Sequence, residues 1–374
     1  MAWHADVATS EPWKDLQVDA VRIDDGHHAN CFPSSALYDR VVMDRNEIGV
    51  GLIGYGLGGR AFHAPYIVAT PGMALRAVVS RDTAKVRSDL PAMRVVPTVE
   101  ALLAEPAIDL VVVSSPDLLH AEHALAAIRA GKHVLVDKPF ATTFADARRV
   151  AAEAVTRGRL LTVFHNRRWD ADFLTLRRLI RDGILGEIAH VESHFDRWRP
   201  VPAATWKEAR DGGSWLDLGP HLVDQALQLF GTPSGISADI ATLREGSLAT
   251  DYFNVVLRYP HRRVVLRSSK LAADHSLRFA VHGTRGSWIK HGVDPQESAT
   301  VAGHMPGGDW GRDPIEGKFT DANGVSNAVA NDRGDYRLFW AALAAAIRGE
   351  GANPVPASEA LAVMEILETA LCGS

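Results

Sequence analysis

The run Ile48-Gly49-Val50-Gly51-Leu52-Ile53, leading straight into Gly54-Tyr55-Gly56-Leu57-Gly58-Gly59, constrains this chain more than any other stretch. A segment apolar on both alternating faces suits a buried parallel strand. Glycines spaced as G-x-G-x-x-G then have separate tasks. Gly54 permits the tight turn, Gly56 lets backbone approach a pyrophosphate, and Gly59 lets the next helix pack closely on the strand. Leu57 and Gly58 open that helix, whose free N–H groups and positive dipole end favour phosphate. A glycine-rich turn alone is equally a structural strand–helix connection. The continuation separates the two readings: apolar runs recur at 75–80, 110–116, 133–137 and 160–164, and helical stretches such as 121–130 and 144–157 lie between them. This alternation predicts an α/β architecture, a doubly wound parallel sheet of the Rossmann type binding a dinucleotide over residues 47–165.

After Trp169 the pattern changes. A helix is expected over 172–181, a long strand over 188–198 and a helix over 216–231. Extended segments follow at 237–244, 252–259, 263–270 and 277–282, joined by short turns. Residues 300–332 are rich in Gly, Asp and Asn and read as a long loop, and two amphipathic helices close the chain at 336–348 and 358–371. Residues 166–374 are therefore expected to form an α+β domain with an open, mostly antiparallel sheet. Two domains also suit 374 residues at roughly 150 residues each. Residues 1–46 show no clear period and are expected to be a poorly ordered extension. Within them Asp24-Asp25-Gly26-His27-His28 reads as a surface loop, so no metal site is expected. The net charge of −5 carries no basic block, which argues against nucleic acid as a partner. The longest apolar runs fall well short of the ~20 residues of a membrane span. Two cysteines, Cys31 and Cys372, form neither a metal spacing nor a disulfide framework, and fit a cytoplasmic location.

Three short segments carry chemistry. Ser80-Arg81-Asp82 lies at the tip of the second strand, where a carboxylate selects the ribose of NAD. Ser80 is neutral there and Arg81 offers a planar fork to a 2′-phosphate, which favours NADP. Asp82 keeps NAD open as the alternative. Asp137-Lys138-Pro139 ends another strand, and ligands bind at the carboxyl ends of such strands. A lysine there can stabilise an alkoxide, and the Lys138–Pro139 bond is a candidate for the cis form. In the segment 212–221, Asp217 and His221 are four apart and share a helix face. Pro220 is best tolerated in a first helical turn, which places the pair at a helix start. A histidine beside a carboxylate is a plausible proton acceptor near neutral pH.

Taken together these segments resemble the glucose–fructose oxidoreductase / inositol dehydrogenase / MocA (Gfo/Idh/MocA) family. Beyond the glycine loop, Ser115-Pro116-Asp117-Leu118-Leu119-His120 is similar to its threonine-proline-asparagine-x-x-histidine segment. The stretch from Ala130 to Pro139 is similar to its AGKHV…EKP run, and Gly213 to His221 to its GG…D-x-G-x-H helix. Asp137 stands in place of the usual glutamate and Asp117 in place of the usual asparagine. Phe62-His63-Ala64-Pro65, the run from His165 to Asp170, the run from His194 to Pro200, and the run from His291 to Glu297 resemble the branch with NADP-dependent scyllo-inositol dehydrogenases. The resemblance implies reversible hydride transfer between nicotinamide and a carbinol carbon of a polyol or sugar, with an inositol-type ring favoured. It implies Lys138, His221 and Asp217 as the catalytic set, His221 being the base and Asp217 orienting or tuning it. Ser115, Pro116, His120, Asp137 and Lys138 would join the glycine loop, Ser80 and Arg81 in holding the cofactor. His63, Arg168, Trp169 and Trp198 would border the substrate, and the chain would form a homodimer or homotetramer. Two rivals stand beside this reading: a nicotinamide-dependent glycosidase, and a non-catalytic NADP sensor on the same scaffold.

Overall fold

A computed structural model describes residues 47–202 and 212–373. The Asp24–His28 segment and Cys31 lie outside them. The first sheet holds β1 Ile48–Ile53, β2 Met73–Val79, β3 Val95–Val96, β4 Leu110–Val113, β5 His133–Val136 and β6 Leu161–Val163. All its pairings are parallel, in the order β3-β2-β1-β4-β5-β6. Every residue of β1 and β4 is buried, as their unbroken apolar runs require. Helices α1 Ala64–Ala69, α2 Thr83–Asp89, α3 Val99–Leu103, α4 His120–Arg129 and α5 Phe144–Thr156 make the connections. The strand order reverses between β1 and β4, and a ligand site is expected outside the carboxyl ends of strands at such a switch point. The glycine loop, Ser115, Asp137-Lys138 and His165 all follow those ends directly.

The second half begins with α6 Ala171–Arg181, β7 Ile188–His194 and α7 Gly213–Phe230. Strands β8 Gly235–Ala241, β9 Tyr252–Arg258, β10 Arg263–Ser269, β11 Leu277–Gly283 and β12 Gly286–His291 come next, then α8 Gln296–Val301, β13 Gly317–Asp321 and β14 Ser326–Val329. They form one sheet in the order β14-β13-β12-β11-β7-β10-β9-β8, antiparallel except for the parallel β7–β10 pair. Helices α9 Arg337–Arg348 and α10 Ala357–Cys372 close the chain. The α10 helix packs against α5 and β6 of the first sheet and against α7 and β8 of the second. One continuous apolar cluster therefore runs through both halves.

Three expectations are corrected. The strand expected over 188–198 leaves regular pairing at His194, although Phe195, Arg197 and Arg199 still donate their amides to the Arg267, Ser269 and Lys270 carbonyls. The loop expected over 300–332 contains the β13–β14 hairpin, whose turn is tied by Asp321 Oδ1 accepting from the Asn323 and Val325 amides at 2.8 and 2.9 Å. These strands are short, half-buried in β13 and mostly exposed in the edge strand β14, so they lack the apolar alternation that marks a strand. Pro220 does not mark a helix start: α7 begins seven residues earlier, at Gly213. Among the described residues no helix is long and apolar enough to cross a membrane.

Candidate active site

The glycine loop is shaped by contacts that a side chain would destroy. Gly54 has φ +96°, and a Cβ there would lie 2.4 Å from the Ser114 carbonyl oxygen. At Gly59 a Cβ would meet the Gly54 carbonyl oxygen at 2.2 Å, and at Gly58 it would meet Ser114 Oγ at 2.6 Å and Asp137 Oδ2 at 2.8 Å. Gly56 is different. A Cβ there meets no atom within 4 Å, and its φ is outside the left-handed region. Nothing in the chain itself calls for glycine at 56, whereas a pyrophosphate lying against the loop does. The exposed Leu57 flanks that opening.

At the tip of β2, a cavity of about 310 Å³ is lined by Ser80, Arg81, Thr83, Val95, Val96 and Pro97. Asp82 is turned away to cap α2, its Oδ1 accepting from the Lys85 amide at 2.9 Å. Ser80 Oγ accepts from the Asp82 amide at 3.1 Å. The exposed Arg81 is the charged group left at the cavity.

Asp137 ties the sheet edge together. Its Oδ1 accepts from the Lys138 amide at 2.8 Å, and its Oδ2 contacts Ser114 Oγ and His63 Nε2, each at 3.2 Å. Burial alone would raise its pKa. The His63 hydrogen bond, with the charges of His63, His120 and Lys138, outweighs that and holds the carboxyl well below its usual range. His63, expected at the substrate border, is fully buried behind Asp137 instead. His120 spans two loops, its Nδ1 on the Pro139 carbonyl at 2.8 Å and its Nε2 on the Ser115 carbonyl at 2.9 Å. It positions the Ser115-Pro116 and Lys138-Pro139 turns from within. Asp117 is buried and caps its own turn, accepting from the Leu118 amide at 3.2 Å. The Lys138–Pro139 bond is cis.

Lys138 and α7 meet as the sequence suggested, but with different partners. Lys138 Nζ donates to the Asp217 carbonyl oxygen at 2.8 Å and to Asp217 Oδ1 at 3.2 Å. No hydrogen bond joins Asp217 to His221, so the expected tuning of the histidine by that carboxylate is replaced by positioning of the lysine. His221 is buried and its Nδ1 has no hydrogen-bond partner. Burial, then Lys138, Arg167, His165 and Arg278, push its pKa well below the usual value, so it is neutral at neutral pH. His165, absent from the expected site, lies beside it with both ring nitrogens unpartnered, and burial brings its pKa down to about 4.

The expected rim is redrawn. Arg168 is interior: its guanidinium grips Asp224 at 2.6 and 2.9 Å and Glu359 at 2.6 Å. Its apparent motif carries no sign of this, since both partners lie more than fifty residues away in sequence. Trp169 is half-buried, edge-on to Phe339 at 5.5 Å between ring centroids. Trp198 is exposed, its backbone bridged to Leu271. By strand alternation it faces away from Phe195, whose ring lies 6.4 Å from that of His221. Arg167 and Glu297 take the place of these residues near the site. Arg167 pairs with Glu297 and, at 3.2 Å, with Asp170, and its guanidinium lies 4.8 Å from the Phe195 ring. Glu297 sits in the fields of Arg167, Lys138 and Arg197, and although burial raises its pKa their sum lowers it. Its only sequence signal was membership of the run 291–297.

Residues 48–165 match the family model described as "Oxidoreductase family, NAD-binding Rossmann fold", and residues 173–289 match the GFO/IDH/MocA C-terminal domain. The chain belongs to the Gfo/Idh/MocA oxidoreductase family. An uncharacterised oxidoreductase of Escherichia coli, YdgJ, is 48% identical over 329 residues, covering 86% of this chain and 95% of its own. IolW of Bacillus subtilis, a scyllo-inositol 2-dehydrogenase (NADP(+)), is 37% identical, covering 87% and 93% respectively. A crystal structure of a Klebsiella pneumoniae protein assigned as an oxidoreductase superposes with TM-score 0.83 at 48% identity, covering 88% and 93%. Family membership accounts for the order of the motifs along the chain. The residue contacts above are this chain's own.

Proposed function

We propose that this protein transfers a hydride between a nicotinamide dinucleotide and a carbinol carbon of a polyol or sugar, with an inositol-type ring as the first candidate. The observation that carries this reading is the convergence of Lys138, Asp217 and the neutral His221 at the carboxyl edge of β5, where Asp137, next to Lys138, lies against Gly58 of the glycine loop. The NADP-dependent dehydrogenase activity named for the 37% identical relative supports the substrate class. NADP is favoured over NAD because Arg81 lines the strand-tip cavity while Asp82 is committed to the α2 cap.

When bound, the nicotinamide supplies the hydride acceptor in oxidation and the donor in reduction. Lys138 directs an ammonium at the reacting oxygen and stabilises negative charge that builds there. Asp217 aims that ammonium through its carbonyl and carboxylate. His221 is unprotonated at neutral pH and has a free Nδ1, so it accepts the hydroxyl proton in oxidation and returns it in reduction. His63, Ser114 and Asp137 hold the turn that presents Lys138. The half-exposed outer face of β8 and β9 supports a homodimer or homotetramer, and the sparse cysteine content supports a cytoplasmic location.

The test is a panel of inositols, sugars and sugar acids with NADP and NAD, followed by absorbance of the reduced nicotinamide. Substrate-dependent reduction is expected, with Lys138→Ala abolishing turnover while binding NADPH nearly as the wild type does. Wild-type-like turnover in Lys138→Ala overturns the assigned role. Release of an aglycone from a glycoside offered alongside the panel, without net reduction, establishes the glycosidase reading instead.

A further inference from the structure

Around the proposed substrate position three cations, Lys138, Arg167 and Arg197, stand against three carboxylates, Asp217, Asp170 and Glu297, but the pairing is uneven. Lys138 is matched by Asp217, and Arg167 by Asp170 and Glu297. Arg197 is left over. It has no carboxylate within ion-pair distance among the described residues, and the one hydrogen bond of its guanidinium runs from Nη1 to the Asp196 carbonyl at 2.9 Å. Among the described residues, four of its five N–H donors are thus uncommitted.

Backbone geometry says where this cation points. Beyond β7 the chain stays extended beside β10, with the Phe195 and Arg197 amides donating to the Arg267 and Ser269 carbonyls. Side chains two apart on an extended segment share a face. Phe195 is on the inner face, its ring edge-on to His221 and covered by Arg167 and Arg278. Arg197 therefore lies on the side of His221 and Arg167, while the buried Asp196 lies on the opposite face, accepting from the Ser269 amide at 2.7 Å and meeting His194 at 3.1 Å. Arg197 is half-buried, so it combines partial dehydration with an open approach. A second observation points to a missing occupant: Arg167 Nε and His221 Nδ1, both on buried residues, also lack partners.

We propose that Arg197 is the anion-recognising residue of the substrate cleft, and that the substrate is a polyol or sugar bearing a carboxylate or phosphate group. This rests on the hydride-transfer reading and names the substrate class of that same site. The planar guanidinium suits a bidentate grip on either anion. Burial and the neighbouring Arg167 lower the Arg197 pKa, with Glu297 and Asp217 opposing them from beyond ion-pair distance. An acidic group on the substrate would supply the direct contact that neither carboxylate makes.

The experiment compares matched pairs: a hexose against its uronate, and an inositol against its monophosphate, in NADP reduction by the full-length protein. In one of the two pairs the acidic member is expected to exceed its neutral counterpart in kcat/KM by about 10-fold or more, the gain expected from one hydrogen bond between charged groups. In Arg197→Gln that preference should fall about 10- to 100-fold, the range for losing one hydrogen bond between charged groups. Arg197→Lys should recover part of it, which also shows that the variants fold. The uronate and phosphate arms separate the two sources of the anion. Turnover of neutral substrates with no acid preference, or equal losses for both members in Arg197→Gln, overturns this inference alone. No turnover with any member of the panel overturns the hydride-transfer reading and this inference with it.

Discussion

Replacing Gly56 and Gly58 by alanine, one at a time, separates what the fold needs from what the cofactor needs. The added Cβ at 56 meets no protein atom within 4 Å and requires no left-handed backbone. Gly56→Ala should therefore fold at least as stably as the wild type, gaining up to about 0.4–1 kcal/mol from a less flexible unfolded chain. If a pyrophosphate rests on this backbone, the same methyl intrudes on it. Overpacking costs about 1–3 kcal/mol, which weakens NADPH binding about 5- to 150-fold. At Gly58 the Cβ would sit 2.6 Å from Ser114 Oγ and 2.8 Å from Asp137 Oδ2. Those two atoms hold one another at 3.2 Å, and Asp137 is also held by His63, so neither yields without breaking a bond. Gly58→Ala should then lose about 1–3 kcal/mol of stability even without ligand. Urea melts of the ligand-free proteins and NADPH fluorescence titrations read the two effects separately. A Gly56→Ala variant that binds NADPH with the wild-type Kd refutes the placement of the dinucleotide on this loop. A Gly58→Ala variant as stable as the wild type refutes the account of the Ser114–Asp137 brace.

Three further outcomes follow from particular side chains. Arg81→Ala should raise KM for NADP much more than for NAD, and an unchanged ratio would mean that the strand-tip cavity does not take the 2′-phosphate. His165 is held neutral in the fold with its pKa near 4, against about 6.5 unfolded. The unfolded chain therefore binds a proton first as pH falls, and stability present above 6.5, about 3 kcal/mol, is lost between 6.5 and 4. His165→Phe should flatten the fall of the urea midpoint over that window, and an unchanged slope would assign the acid sensitivity elsewhere. Arg168→Ala should destabilise the fold by about 3–5 kcal/mol, because it strands the buried Asp224 carboxylate. A stable Arg168→Ala protein with only an altered KM would restore the discarded rim role.

The legible parts of this molecule are those encoded between near neighbours in the chain. Apolar runs that are buried on both faces gave away β1, β2, β4, β5 and β6, and the spacing of Gly54, Gly56 and Gly59 marked the loop after β1. Lys138 was legible because Asp137-Lys138-Pro139 ends a strand, and ends of parallel strands gather at one edge whatever lies between them. The β13–β14 hairpin was hidden, since short, partly exposed strands at the end of a sheet have no apolar rhythm.

Partnerships were decided only in three dimensions. Asp217 and His221 do share a helix, yet Asp217 binds Lys138, which is 79 residues away. Arg168 looked like a rim residue until Asp224 and Glu359 closed on it, and Glu297 had no visible role until α8 brought it to Arg167. The physical reason is one of range. Backbone geometry and periodicity depend on adjacent residues, so the sequence by itself determines the sheet edge and its nucleotide loop. Which charge meets which depends on the packing of distant segments, and that packing leaves Asp217 on the lysine and, among the described residues, Arg197 without a carboxylate at ion-pair distance.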